Sequence, residues 1–290
     1  MELTEQAKAT LLAYQQTEIT EHQIYMRLAQ SSASPDNRRI LERIAQQERE
    51  HARIFTSYTR QDVQPNTFKV WFYYLISRIF GFTFGIKLME KGEEKAQANY
   101  EDFAEMVPEL KKIIQEESEH EAALINLLDE ERLRYTGSIV LGLNDALVEL
   151  TGALAGLTLA LQHTKLVALA GSITGIAAAF SMAASEYLST KSEQTAKNPI
   201  KASVYTGIAY IITVLILIFP YLFFGNIYVC LALTLIAALL IIAGFNYYIS
   251  VAKDEPFRAR FLEMAGLSLS VAALSFGIGF LMRTFFGIEL

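Results

Sequence analysis

The chain has 290 residues, and its charge is divided unevenly along its length. Residues 1–135 carry 17 Lys and Arg against 23 Asp and Glu, a net charge of −6, whereas residues 136–290 carry 8 of each and are mostly apolar. This division excludes an ordinary cytosolic enzyme, a disordered chain and a basic protein that binds nucleic acid. The single cysteine, Cys230, excludes a disulfide framework and a thiolate metal cluster.

The first 135 residues predict helices, because glycine is rare and strand-like alternation is weak. Four helices fit the pattern, with breaks near Pro35 and Pro108: 4–31, 36–61, 86–104 and 106–134. The N-terminus has no apolar run behind a basic start, so we expect no cleaved signal peptide. We therefore expect this domain to stay on the side of the membrane where it is made.

A short aromatic segment lies between the two helix pairs, at residues 68–80. It is too short to cross a bilayer, which takes roughly 20 apolar residues. Aromatic side chains with Lys69 and Arg78 at the rim are typical of a helix in the lipid headgroup region. The alternative is a crossover helix packed on its own bundle. We expect an interfacial segment over about residues 66–85.

From Gly137 onward the sequence predicts five membrane-spanning helices, each long and apolar enough to cross a bilayer. The five runs are 137–162, 165–189, 202–224, 227–250 and 262–283. Basic residues concentrate before span 1, between spans 2 and 3, and between spans 4 and 5. The positive-inside bias then predicts a multi-pass protein of a cell (inner) membrane, with its N-terminus in the cytosol and its C-terminus outside.

Two of the four histidines follow a glutamate by three residues, a spacing that places both side chains on one face of a helix. Before each pair, a glutamate is followed seven residues later by a tyrosine. The recurring residues are Glu18, Tyr25, Glu48 and His51 in the first copy and Glu93, Tyr100, Glu117 and His120 in the second. Residues 1–135 therefore contain an internal duplication.

This set matches the ligands with which a four-helix bundle holds two metal ions, namely one Glu from each of two helices and Glu-x-x-His from each of the others. Carboxylates with imidazole suit iron or manganese better than copper or a closed zinc site. Glu90 and Glu94 stand near Glu93, so the ligand on the third helix stays open among them. Glu21, one turn past Glu18, is an additional candidate.

Residues 1–134 resemble the ferritin-like di-iron domain of the rubrerythrin group, because these elements occur in the same order. The resemblance implies an all-α fold that begins with a ferritin-like four-helix bundle. It also implies a di-iron or manganese centre with the ligands Glu18, Glu48, His51, Glu93, Glu117 and His120. The four cysteines of that group's rubredoxin-like iron site are missing, which disfavours a self-contained peroxidase.

Ionisable residues inside a membrane-spanning helix predict function, because burying a charge in hydrocarbon costs about 2.5–3.5 kcal/mol. Asp145 and Glu149 lie four residues apart in span 1, and Met182 and Glu186 have the same spacing in span 2. At about 1.5 Å per residue, Asp145 and Met182 lie at similar depths from the cytosolic side. A carboxylate with a thioether can dehydrate and release a divalent transition metal.

Residues 142–148 (GLNDALV) and 181–189 (SMAASEYLS) resemble the signatures of the vacuolar iron transporter family. The resemblance covers about residues 135–290. It implies a five-span transporter that acts as a dimer and exchanges Fe²⁺ or Mn²⁺ for protons. It also implies a transport path lined by Asp145 and Met182, with Glu149 and Glu186 as additional residues.

The leading hypothesis is proton-coupled efflux of Fe²⁺ or Mn²⁺ from the cytosol, with the bundle capturing or sensing the metal. One alternative is an enzyme, a membrane-anchored di-iron ferroxidase or peroxidase whose spans only tether the bundle. The two carboxylates of span 1 argue against it, because a passive anchor needs none. A metal-gated regulator of the pore is a third hypothesis. The expected partners are the metal, protons, the lipid bilayer and a second copy of the chain.

Overall fold

A computed structural model describes residues 4–97, 107–127, 135–193 and 197–286. Within these ranges every regular element is a helix, and no strand occurs. The prediction of an all-α chain is thus confirmed. The chain divides into two compact units, Met1–Glu130 and Glu131–Leu290.

The first unit contains the helices α1 (Glu5–Ser31), α2 (Pro35–Thr59), α3 (Thr67–Phe80), α4 (Phe82–Gln97) and α5 (Leu110–Leu127). Helix α1 begins after Thr4, whose hydroxyl accepts a hydrogen bond from the backbone N–H of Ala7. Helix α2 begins after Ser34, whose hydroxyl accepts a hydrogen bond from the backbone N–H of Asn37, and proline occupies the first position of this helix. Both starts follow the sequence preferences of helix N-termini.

Two apolar clusters form the core of the first unit. One includes Leu28, Leu41 and Met89, and the other includes Leu11 and Phe55. Along α1 and α2, the clusters are separated by a layer of buried polar side chains: Glu18 and Glu21 on α1 and Glu48 and His51 on α2. Because unpaired buried charges are costly, this polar layer is the feature of the first unit that requires a chemical explanation.

In the first unit, two helices begin four residues away from their predicted starts. Helix α4 begins at Phe82 instead of residue 86, directly after Gly81, whose φ of 105° favours glycine. Helix α5 begins at Leu110 instead of residue 106, because Pro108 lies in the turn before it and a proline favours an extended residue ahead of it. The predicted helical residues 98–106 and 128–134 lie outside the described residues.

The second unit contains five helices that are long and apolar enough to cross a membrane, as predicted. They are span 1 (Thr136–Leu161), span 2 (Thr164–Ser192), span 3 (Pro199–Phe223), span 4 (Ile227–Lys253) and span 5 (Phe257–Phe285). Large apolar side chains stand exposed on the outside of this unit, and Leu215, Leu240 and Phe285 are examples. Such an apolar exterior is typical of a protein surrounded by lipid.

Small residues allow the backbones of the spans to approach closely. A Cβ atom at Gly142 of span 1 would overlap the backbone oxygen of Thr206 in span 3, and one at Gly279 of span 5 would overlap the backbone oxygen of Gly156. The hydroxyl of Thr206 also donates a hydrogen bond to the backbone oxygen of Ser138, at 2.9 Å. Span 1 is therefore held tightly between spans 3 and 5.

Candidate metal centre

Four side chains converge in the polar layer of the first unit. Glu18 of α1, Glu48 and His51 of α2, and Glu117 of α5 each offer one ligand atom, and these atoms lie within 4.8 Å of one another. Glu18, Glu48 and His51 are at most 2% exposed. The helical spacing of Glu48 and His51 places both on the inner face of α2, as the sequence predicts.

The imidazole of His51 is the centre of this group. Its Nδ1 atom lies 3.5 Å from an oxygen of Glu18, 3.4 Å from one of Glu48 and 3.1 Å from one of Glu117. A metal with bonds of about 2.1 Å to oxygen and nitrogen separates adjacent ligand atoms by about 3.0–3.4 Å. The spacing of these donor atoms therefore fits a metal ion.

The second predicted imidazole, that of His120 on α5, lies beside the same carboxylates. Its Nδ1 atom is 3.2 Å from Oε1 of Glu48 and 3.8 Å from Oε2 of Glu117. The other oxygen of each carboxylate faces His51. The rings of His51 and His120 stack with their centres 6.0 Å apart. Glu48 and Glu117 thus each direct one oxygen toward each imidazole.

Several buried donor atoms of this cluster make no hydrogen bond with the described residues. Oε2 of Glu48 and Oε1 of Glu117 lie near Nδ1 of His51 without the geometry of a hydrogen bond, and Nε2 of His120 has no hydrogen-bond partner among the described residues. Buried polar atoms without a hydrogen bond are uncommon in folded proteins. Carboxylate oxygens and imidazole nitrogens are ligands of divalent iron and manganese, so the chemistry of the donors fits such an ion.

The buried groups shift each other's pKa values. Burial raises the pKa of Glu18 well above its ordinary range, and the nearby imidazole of His51 offsets only part of this effect. Burial acts in the same direction on Glu48, but the imidazoles of His120 and His51 outweigh it and hold the pKa of Glu48 at about 2. Protons on the imidazoles therefore balance the carboxylates of the metal-free site.

Both imidazoles hold their protons tightly. Burial disfavours the charged form of His51, but Glu117, Glu18 and Glu48 outweigh it and raise the pKa of His51 far above its ordinary value. Burial opposes protonation of His120 as well, and Glu117 and Glu48 raise its pKa to about 9. A divalent ion that binds here must displace these protons.

The metal-free protein should therefore lose stability in its first unit as the pH rises from about 6.5 to about 9. A group whose pKa is raised by folding stabilises fully below the unfolded pKa, and its contribution is lost as the pH passes the folded pKa. Thermal unfolding with a chelator present, followed by the emission of Trp71 on α3, measures this dependence. The His120→Gln variant should show a weaker dependence, because the contribution of His120 is then missing, and an equally steep one would contradict the assignment.

One residue of the site, Glu116, was not predicted from the sequence. The Nε2 atom of His51 lies 2.9 Å from Oε2 of Glu116, which in turn lies 3.3 Å from the ammonium group of Lys112. A carboxylate on the far nitrogen of a metal-binding histidine fixes the orientation of the ring and its tautomer. Glu116 thus directs Nδ1 of His51 toward the three other carboxylates. Its one sequence signal is its place directly before Glu117.

The structure describes the side chains of three of the remaining predicted residues of the first unit, namely Glu21, Tyr25 and Glu90. Glu21 is 4% exposed, and Tyr25 is packed in the apolar cluster of Leu28 and Met89. Glu90 is half-buried on α4. Glu93 and Glu94 lie on the same helix, but their side chains are outside the described residues, and so is Tyr100. The ligand from this helix therefore stays a prediction.

In the second unit, the carboxylates of span 1 lie at a local change in the helix. Residues Ala146–Leu150 form a π-helical turn directly after Asp145, and Glu149 lies within it. Asp145 and Glu149 interact with each other and with the hydroxyl of Tyr210 in span 3, which donates to Glu149 Oε2 at 3.4 Å. Turns of this kind are rare and frequently mark functional sites.

Glu186 of span 2 belongs to a second polar level. It accepts a hydrogen bond from Ser138 at 2.6 Å and a longer one from Thr190 at 3.4 Å. Ser138 precedes Asp145 by seven residues, which corresponds to about 10 Å along span 1. Met182 is half-buried against the apolar core that includes Leu147. Spans 1 and 2 thus carry carboxylates at two depths.

Residues 136–198 match the sequence model of the VIT family. The matched stretch covers spans 1 and 2 and the connection that follows. It contains Asp145, Glu149, Met182 and Glu186. None of the curated proteins compared with the chain matches it.

The VIT match and the five apolar helices support a multi-pass membrane protein of the vacuolar iron transporter type, and this type implies the transport of metal ions across a membrane. The match does not extend to residues 1–135. Tyr210 of span 3 lies outside it, although its hydroxyl contacts the matched carboxylates. Tyr210 was not predicted from the sequence, where its only signal is a phenol within an apolar run.

Proposed function

We propose that this protein exports Fe²⁺ or Mn²⁺ from the cytosol in exchange for protons. The observation that carries the proposal is the pair of carboxylates Asp145 and Glu149 inside span 1, joined by the Tyr210 hydroxyl at a π-helical turn. These carboxylates lie within the stretch that matches the VIT family. A purely structural span has no use for two acidic residues in hydrocarbon.

The two polar levels suggest a route for the ion. Glu186 and Ser138 form an outer level near the start of span 1, on the predicted cytosolic side. Asp145 and Glu149 form an inner level, which lies about 10 Å further along the span. Met182 adds a thioether, which favours transition metals over Mg²⁺. Carboxylates within a membrane need a counter-charge, so metal ions and protons compete for them. This competition couples metal movement to proton movement.

A second copy of the chain would complete this site. Glu149 is exposed on the surface of the second unit, although Asp145 and Tyr210 are more deeply placed. An exposed carboxylate that faces lipid hydrocarbon is costly. A homodimer that covers this face of span 1 would enclose Glu149 within protein. The proposed location is a cell (inner) membrane. The asymmetry of basic residues supports an N-terminus on the cytosolic side of it.

The first unit would capture or sense the metal before transport. Glu48 and Glu117 direct one oxygen toward each of His51 and His120, and these four side chains would hold a pair of metal ions. Glu18 would complete the ligands of one ion, and a glutamate of α4, with Glu93 the first candidate, those of the other. The proposal is a ferritin-like, rubrerythrin-like bundle over residues 1–134, with iron or manganese as the resident metal.

A second candidate function is that of a membrane-anchored ferroxidase or peroxidase. The buried cluster of Glu18, Glu48, His51 and Glu117 favours it, because a bound iron pair in such a donor set supplies oxidation chemistry. In this case the five spans are only an anchor. Oxidation in the first unit is also compatible with transport, so flux and oxidation must be measured separately.

The test is transport by the full-length protein in sealed proteoliposomes that contain a metal-sensitive dye and a pH-sensitive dye. Fe²⁺, Mn²⁺ and Zn²⁺ are added in turn, with a proton gradient of either sign. The proposal expects saturable flux of Fe²⁺ or Mn²⁺, with protons moving in the opposite direction. Oxidation of Fe²⁺ without flux of any of the three metals would contradict it and favour the anchored enzyme.

A further inference from the structure

Helix α3 has two faces of opposite character. Its inner face packs on the bundle through Val70, which is fully buried, and through Ser77, which lies against Gly85 of α4. Its outer face is apolar and 44–77% exposed. This outer face consists of Phe68, Trp71, Phe72, Leu75, Ile79 and Phe80. Close packing at Ser77 and Gly85 fixes which side of α3 points away from the bundle.

The charge of α3 is opposite to that of the unit that carries it. Thr67–Phe80 contains Lys69 and Arg78, both exposed, and no acidic residue, a net charge of +2. The other residues of the first unit, Met1–Glu130, hold 13 basic and 22 acidic side chains, a net charge of −9. Arg27 of α1 adds a further cation next to the outer face, 4.5 Å from the centre of the Trp71 ring.

We propose that the outer face of α3 docks on the surface of an anionic lipid bilayer. Aromatic and aliphatic side chains with a basic rim are the composition of helices that lie in the lipid interface, and tryptophan favours that region. The same polypeptide carries five helices suited to cross a bilayer, so a lipid surface is always at high effective concentration.

Charge selects the bilayer over a second copy of the chain as the occupant. Anionic headgroups attract Lys69, Arg78 and Arg27, whereas the rest of the unit carries a net negative charge, so an anionic surface favours contact through α3. A second copy packed on the same face would bring the same cations together. Docking of α3 would hold the metal-binding bundle at the membrane surface. Metal transport by the spans does not itself require this contact.

Trp71 is the only tryptophan of the chain, which makes it a direct probe of this contact. The full-length protein is reconstituted into vesicles of phosphatidylcholine and phosphatidylglycerol, with bromine either high on the acyl chain or near its end. Because such helices bury their apolar face by about 5–10 Å, we expect bromine high on the chain to lower Trp71 emission roughly twofold or more. Bromine near the chain end should quench less, and aqueous acrylamide should quench little.

Two results would overturn the proposal. In the first, acrylamide quenches the emission of Trp71 and bromine does not, which places Trp71 in water. In the second, neither agent quenches the emission, which places Trp71 under protein, as in a contact between copies. The Trp71→Phe variant supplies the blank. Both results are measured on the wild-type protein, so neither depends on whether a variant folds.

Charge reversal tests the lipid chemistry. The double variant Lys69→Glu/Arg78→Glu should lose most of the bromine quenching in anionic vesicles, and added salt should weaken quenching of the wild type. The double variant Arg53→Glu/Lys111→Glu is the matched control, because it reverses two exposed charges on α2 and α5. Equal quenching in both double variants would overturn the assignment to an anionic surface.

Discussion

Replacing Asp145 with asparagine should reduce metal flux in proteoliposomes to the level of vesicles without protein. The carboxylate interacts with Glu149 and Tyr210 at the π-helical turn, and asparagine keeps its size while removing its charge. A charge without its counter-charge costs about 2.5–3.5 kcal/mol within the membrane, and a metal cation that passes the asparagine lacks one counter-charge. At about 1.4 kcal/mol per factor of ten, losing it lowers the rate roughly 100-fold.

The matched control is Asp254→Asn. Asp254 lies in the connection between spans 4 and 5 with a φ of 54°, a left-handed conformation that asparagine also adopts readily. This variant removes an equal charge outside the proposed path and should retain wild-type flux. Wild-type Fe²⁺ flux in Asp145→Asn, at equal protein content, would contradict the role of the inner carboxylate pair and with it the proposed transport path.

The sequence predicts those features of the molecule that depend on spacing along one helix. The spans follow from apolar length, and Glu48 with His51 or Glu117 with His120 follows from the i and i+3 positions of a helix. The structure adds that residues from α1, α2 and α5 meet in one buried layer. The duplicated pattern predicts that these side chains share one site, because each copy repeats the same donors.

Contacts between distant elements could not be predicted in this way. Glu116 and Tyr210 each reach a predicted residue from another helix, and neither belongs to a repeated pattern. The π-helical turn after Asp145 is also invisible to hydropathy, because a single extra residue in a turn leaves composition unchanged. These features depend on how whole helices pack, and local propensity contains little information about packing.

Removing two ligands of the first unit should separate metal capture from transport. In Glu48→Gln/His51→Gln, both substitutions fall in the buried layer and remove donors that converge with Glu18 and Glu117. Loss of an outer partner of a ligand alone costs about 10–100-fold in metal affinity, so removing two ligands should cost more than about 100-fold. Bound iron or manganese per chain, measured after free metal is removed, should fall accordingly.

Transport by the same variant decides what the first unit does. If the bundle captures the metal, flux should fall at low metal concentration and return to the wild-type value at saturation, because the path through spans 1 to 3 is intact. Glu50→Gln is the matched control, since Glu50 is exposed on the same helix α2 and should change neither binding nor flux. Trp71 emission checks that the unit remains folded. Loss of flux at saturating metal would contradict a capture role and make the bundle an obligatory part of the transport cycle. Undiminished flux at every concentration would also contradict it, and would leave oxidation, measured in parallel, as the function of the metal centre.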